Sequence, residues 1–299
     1  MIKNEVPRKA PLTPSRDREY VCGLKLKAAS VRRRMVEMGH RSQIRLHYGA
    51  IMGMVEMVVM LYFHWLDVRP NQPDWSERDR FVLSKGHGVP ALYAVLGEAG
   101  FFEEEAFDSF RRLGTTLQGH PDRLKTPGID VTSGSLGQGL GVAVGLALGA
   151  KLRGADWRTC CMISDGECNE GSIWEAALVA ANQRLDNLIV LMDRNRKSSY
   201  GVMVGRNAVE PLPDKWREFG WAVFETDGHD FYSLSQTMAV ADAVAEKPAM
   251  VICHTTKGKG VPFVENYPSK PNILLTDDQY QDCLRVIQRA EEEVHHVHG

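Results

Sequence analysis

The sequence predicts an α/β protein built as a doubly wound, mostly parallel sheet flanked by helices, and three observations lead there. Short, largely apolar runs recur at Arg80–Ser84, Thr159–Ile163, Leu188–Met192, Trp221–Phe224 and Met250–Cys253. Segments of helical character lie between them, the alternation expected of βαβ crossovers. Two of the runs end in polar clusters, Ser164-Asp165-Gly166-Glu167 and Asp193-Arg194-Asn195. Open parallel sheets bind ligands at that carboxyl edge.

Taken in order, Asp17–Met38 spaces Val21, Leu24, Val31, Met35 and Val36 at helical intervals among Arg and Lys, an amphipathic surface helix. Met52–Trp65 is apolar almost all round and predicts a buried helix. The strand at Arg80–Ser84 leads through Lys85-Gly86-His87-Gly88 into a helix ending near Gly97. Leu136–Leu152 carries Gly and Ala at close spacing, so its helix must approach another helix or a ligand closely. Ser172–Asn182 and Ser233–Ala245 supply later crossovers, and Thr276–Glu293 a closing helix. With no internal repeat and no Gly/Ser linker, residues 1–299 read as one domain.

A net charge of −2 gives no global electrostatic reason to bind nucleic acid or anionic membrane, so a small-molecule role is favoured. No apolar segment approaches the roughly 20 residues of a membrane span. The six cysteines form no Cys-x-x-Cys pair and read as reduced thiols packed as small apolar residues, which fits a cytoplasmic location. The closing His295-His296-Val297-His298 reads as a solvated tail.

Asp165 and Asn195 stand thirty residues apart, each just beyond an apolar strand. Either alone is explained by capping or a turn. Together, beside Gly166, they offer hard oxygen ligands at one sheet edge. That set suits Mg²⁺, which takes few protein ligands and fills its remaining positions with phosphate oxygens and water.

The pair resembles the thiamine-diphosphate motif of Gly-Asp-Gly followed about thirty residues later by Asn, and the flanking residues resemble the amino-terminal half of transketolase. His47-Tyr48-Gly49-Ala50, Ser84-Lys85-Gly86-His87-Gly88, Gly119-His120-Pro121, Thr132–Leu140, Asp227-Gly228-His229-Asp230 and Thr256-Lys257-Gly258-Lys259-Gly260 follow the family's order. The resemblance implies thiamine diphosphate and Mg²⁺ as cofactors, with Asp165, Asn195 and the Lys197 carbonyl as metal ligands. It implies contacts to the cofactor from Ala50, His87, Gly134, Ser135, Leu136, Gly166, Asn195 and Lys257. It places His47 and His120 against the sugar as catalytic residues, with Glu170 as the carboxylate that reaches a neighbouring site. His229 is left out, because a turn and an N-cap at Asp230 explain that segment.

In the family, the carboxylate that activates the cofactor's pyrimidine lies in a second domain downstream, which this sequence does not contain. The resemblance therefore implies one subunit of a split transketolase, inactive alone. Its expected partner is a carboxyl-terminal, pyrimidine-binding subunit in an α₂β₂ assembly that moves a two-carbon ketol unit from a ketose, phosphorylated or otherwise anionic, to an aldose. Competing readings are an alpha-type subunit of a 2-oxo-acid dehydrogenase, a 1-deoxyxylulose-phosphate synthase and a non-catalytic paralogue. Ser164 replaces the first Gly of the motif and Tyr48 follows His47 where the family has Pro. A Trp-His pair that the family carries after Lys-Gly-Lys-Gly is replaced by Tyr267–Asn272, where Lys270 or Asn272 would supply another donor. The changes gather around the sugar pocket, implying ketol transfer with an unusual donor or acceptor.

Overall fold

The protein is described from a computed structural model that covers residues 11–198, 201–202, 209–265 and 272–296. All five apolar runs become strands of one sheet. In chain order the strands are β1 (Arg80–Leu83), β2 (Thr159–Ser164), β3 (Leu188–Arg194), the short ribbon β4 (Lys197–Ser198) and β5 (Gly201–Val202), β6 (Ala222–Asp227) and β7 (Ala249–His254). The main sheet runs β1-β2-β3-β7-β6 with every pair parallel, while β4 and β5 pair antiparallel. The helices are α1 (Arg18–Arg41), α2 (Tyr48–Met52), α3 (Val55–Met60), α4 (Val89–Glu98), α5 (Gln138–Arg153), α6 (Gly171–Asn182), α7 (Leu212–Glu218), α8 (Phe231–Asp242), α9 (Pro262–Glu265) and α10 (Asp277–His296).

Uninterrupted apolar strands are what a sheet covered on both faces requires. Cys160, Met162, Ile189, Leu191, Val251 and Cys253 turn into the core shared with α1, α3, α4 and α8. Their neighbours Cys161, Ile163, Val190, Met192, Met250 and Ile252 turn into the core under α5, α6 and α7. Adjacent Cys160 and Cys161 thus serve opposite cores, and all six cysteines are free thiols. Asp230 caps α8 by accepting the Ser233 N–H at 2.8 Å, as expected. Among the described residues, no helix is long and apolar enough to cross a membrane.

The run Met52–Trp65 is not the single helix its composition predicts. It divides into α2, α3 and a π-helical turn at Leu61–Trp65. The break follows from docking: a methyl on Gly53 would lie 3.0 Å from the Thr256 carbonyl oxygen, and one on Gly49 would lie 2.8 Å from Cε of Lys257. The segment bends around the loop after β7, and tertiary contact overrides periodicity.

Candidate active site

Four parallel strands deliver their carboxyl ends to one place. The β2–β3 register pairs Ser164 with Asp193, and the β3–β7 register pairs Asp193 with Cys253. Asp165, Asn195 and Thr255 therefore leave the sheet side by side, and Ser84-Lys85 leaves β1 next to β2. At the centre Lys85, 1% exposed, forms an ion pair with fully buried Asp193. The Lys85 ammonium also donates to the Ala50 carbonyl at 3.3 Å, and the Thr255 hydroxyl donates to Asp193 Oδ1 at 2.5 Å. Burial alone would push the Asp193 carboxyl up, but Lys85 and the hydrogen bonds more than offset it and hold Asp193 below its ordinary range.

Asp165 is 3% exposed. Its Oδ1 accepts the Gly166 N–H at 2.8 Å and its Oδ2 accepts the Arg196 N–H at 2.7 Å. The first bond makes Asp165 the cap of a 3₁₀ turn at Gly166–Asn169 rather than of α6. The second latches the residue after Asn195 onto Asp165, with Arg196 held in the left-handed region at φ 57°. Asn195 Nδ2 lies 3.5 Å from Asp193 Oδ2. Burial, then the charge of Asp193, raises the Asp165 carboxyl to about 6.

Glu167 completes this end of the site, and sequence reasoning did not assign it a role. Fully buried, it accepts the Ser84 hydroxyl at 2.5 Å, the Gly137 N–H at 2.7 Å and the Ser164 N–H at 3.3 Å. It thereby ties the loop Gly134-Ser135-Leu136-Gly137 to the ends of β1 and β2. Gly137 needs its φ of 83° and its missing side chain, since a methyl there would meet Cβ of Glu170 at 2.6 Å. Glu170 itself is exposed at the N-cap of α6, with no side-chain capping bond.

The histidine loops converge on the same cleft. His47 caps α2 through Nδ1, which accepts the Ala50 N–H at 3.3 Å, leaving the proton of the neutral ring on Nε2. Its ring centroid lies 5.3 Å from that of His87. A methyl on Gly86 would fall 2.8 Å from Cα of Gly134, and one on Gly134 would fall 3.5 Å from Cδ2 of His120. The loops carrying His87, Gly134 and His120 are thus layered in contact. Burial, followed by the Lys257 charge, lowers His47 to about 4, and burial, followed by Lys85 and His47, lowers His87 to about 3. Lys257 is 4% exposed, whereas Ser135, Leu136 and His120 are exposed at the mouth.

The donor set fits a divalent cation. Three buried carboxylates, Asp165, Glu167 and Asp193, all feel the charge of one buried ammonium, Lys85. Asp165 and Asn195, at the ends of adjacent strands, supply oxygen donors of the kind Mg²⁺ takes. The backbone of Lys197, the third expected ligand, follows in β4, paired with Val202.

Comparison with known proteins now decides the family. The thiamine-diphosphate-binding domain of transketolase matches residues 30–283. The chain belongs to the transketolase family. A 6-deoxy-6-sulfo-D-fructose transketolase subunit from a Clostridium species is 42% identical over 243 residues, covering 81% of this chain and 88% of that protein. One of the subunits of the apulose-4-phosphate transketolase of Phocaeicola vulgatus is 38% identical over 271 residues, covering 91% of this chain and 96% of that protein. Among solved structures, transketolase from Campylobacter jejuni superposes with a TM-score of 0.83 at 28% identity, over 91% of this chain and 45% of that one. The chain thus spans a little less than half the length of that solved transketolase.

The family, the fold and the transketolase assignment read from the motifs are borne out. In this transketolase chain, local contacts link Ala50 to Lys85, His87 to His47, Gly134 to Gly86, Lys257 to Gly49 and Asn195 to Asp193. Lys85, Asp193 and Glu167 had to await the fold, although one signal was available: charged residues at the ends of otherwise apolar strands. His229 is structural. Its Nε2 accepts the Thr256 N–H at 2.8 Å, and its Nδ1 faces Glu56 at 3.0 Å, itself bridged to Arg32 at 2.7 Å. Lys270 lies outside the described residues. Asn272 is described, and its neighbour Ile273 pairs with Leu46, so antiparallel register sets Asn272 opposite His47.

Proposed function

We propose that this chain is the amino-terminal subunit of a two-chain transketolase, residues 1–299 forming a single diphosphate-binding domain. In this reading it works with a separate pyrimidine-domain subunit in an α₂β₂ cytoplasmic assembly. The observation that carries the reading is the clamp at the carboxyl ends of β2 and β3, where buried Asp165 and half-buried Asn195 stand beside the Lys85–Asp193 ion pair. Coverage of 88% and 96% of two relatives named as transketolase subunits supports the two-chain arrangement.

Asp165, Asn195 and the Lys197 carbonyl hold Mg²⁺. His87, Lys257, Gly166 and the Gly134-Ser135-Leu136 backbone hold the diphosphate, with Ala50 lining the wall. Bound thiamine diphosphate supplies the nucleophilic carbon that carries a two-carbon ketol unit between sugars. The chain's own residues orient the reactants around it. Neutral His47 offers Nε2–H as a donor to a sugar hydroxyl, and His120 serves the same end of the cleft. Asn272, opposite His47, supplies the polar group that the family's Trp-His pair otherwise provides. Glu170 reaches the partner subunit's side of the interface.

Reconstitution with the pyrimidine-domain subunit tests the reading. The expected result is ketol transfer from a ketose phosphate to an aldose that requires both chains, Mg²⁺ and thiamine diphosphate. Turnover by this chain alone, or none by the complex, would reject it. Robust turnover of xylulose 5-phosphate would remove the suggestion of an unusual donor.

A further inference from the structure

A cavity of about 420 Å³ opens between α1, α10 and the loop after β7, and the catalytic scheme above leaves it unused. Ligand sites of this size combine apolar walls with a few convergent polar groups. The walls here are Ala28 and Ala29 of α1, Phe231 at the start of α8, and Val286, Ile287 and Ala290 of α10. The loop Thr256–Gly260 serves both this cavity and the cleft. Its Lys257 packs against Gly49, while Lys259 and Gly260 line the cavity.

The polar end of the cavity is built around Arg32, which is 9% exposed. Its Nε donates to the Lys259 carbonyl at 3.2 Å, and its Nη2 donates to Glu56 at 2.7 Å and to the Met52 carbonyl at 3.4 Å. Nη1 makes no hydrogen bond among the described residues and is open to solvent. Glu56 does not need that donor. His229 accepts the Thr256 N–H on Nε2 at 2.8 Å, so the proton sits on Nδ1 and is donated to the second Glu56 oxygen at 3.0 Å. Lys25 and Lys259 stand exposed at the rim, neither in an ion pair among the described residues, and Glu293 is the carboxylate across from them. Lys25, Arg32 and Lys259 thus oppose Glu56 and Glu293, leaving one positive charge in excess.

A spare guanidinium donor at the end of an apolar slot suits a ligand with one negative charge and a hydrocarbon body. We propose that this cavity is a second ligand site, taking a short-chain carboxylate with its head on Arg32 and the rim lysines and its alkyl body between α1 and α10.

Calorimetric titration of the full chain with acetate, butanoate, hexanoate and 1-hexanol tests this without turnover or the partner subunit. Hexanoate should bind at one site with a Kd of about 1 mM or tighter. Each methylene removed should weaken binding by about fourfold, leaving acetate without measurable effect. 1-Hexanol keeps the body but loses the charge-assisted bonds, and should bind roughly tenfold to a hundredfold more weakly than hexanoate. Two variants at exposed positions locate the site. Ala290→Trp fills the cavity and should abolish binding, while Lys259→Glu reverses a rim charge and should weaken hexanoate by about tenfold and leave 1-hexanol unchanged. Hexanoate should also shift the ring ¹⁵N signals of His229 saturably in the native chain and not in Ala290→Trp. Absence of saturable hexanoate binding, equal affinity for 1-hexanol, or hexanoate affinity untouched by both variants overturns the assignment.

Discussion

The two ends of the cleft are built on opposite principles. At the strand edge Lys85, Asp193, Glu167 and Asp165 are buried and joined by side-chain and backbone bonds, so their geometry is set before any ligand arrives. At the loop edge His120, Ser135, Leu136 and Arg111 are exposed, and layered glycines hold their loops together. The inner end is the part that the proposed function assigns to a metal and a diphosphate. The outer end leaves its side chains open to solvent. A buried, bonded end and an exposed, loop-borne end thus meet in one cleft.

That contrast breaks most severely at Lys85. Lys85→Met strands Asp193 as a buried unpaired carboxylate and should destabilise the protein by about 3–5 kcal/mol in urea unfolding. Lys85→Met combined with Asp193→Leu should recover much of that loss, because an apolar pair removes the desolvation cost. A smaller loss is expected at the seam between the two ends. Gly137→Ala meets both a φ of 83° and the Glu170 side chain, and should cost about 1–3 kcal/mol by the same measurement.

Acid should probe the histidines in between. The native rings of His47 and His87 are held neutral to about 4 and about 3, below their ordinary value of 6.5. Between 6.5 and those values the unfolded chain binds protons that the native chain does not. Stability from these rings is therefore full above pH 6.5 and drains as pH falls, at up to about 1.4 kcal/mol per pH unit for each. His47→Gln should flatten the slope of melting temperature against pH in that window.

Asp165→Asn removes a carboxylate raised to about 6 by burial and by Asp193, but it leaves one of the Gly166 and Arg196 N–H groups facing a donor, so the apo chain should lose about 1–3 kcal/mol in urea unfolding. The variant should lose the extra thermal stability that Mg²⁺ and thiamine diphosphate give the native complex. A retained response would show that the metal binds elsewhere. At the carboxyl end of β6, Asp230→Ala should cost only about 1 kcal/mol, the value of one N-cap.

Much of this was legible in the chain. Apolar runs without alternation announced a sheet covered on both faces, and Asp165 and Asn195 marked its carboxyl edge because each lies just beyond such a run. The helix predicted across Met52–Trp65 failed because the docking of Gly49 and Gly53 on Lys257 and Thr256 joins residues some two hundred positions apart. Glu167 was visible but mute, since its partners Ser84 and Gly137 belong to other loops.

By itself the sequence determined the five strands of the main sheet in chain order and the family, because each is written in residues close along the chain. Tertiary structure alone decided that Lys85 neutralises Asp193, 108 positions away, and that His47 and His87 stay neutral. Those properties depend on burial and on distances between loops, and no local pattern encodes either.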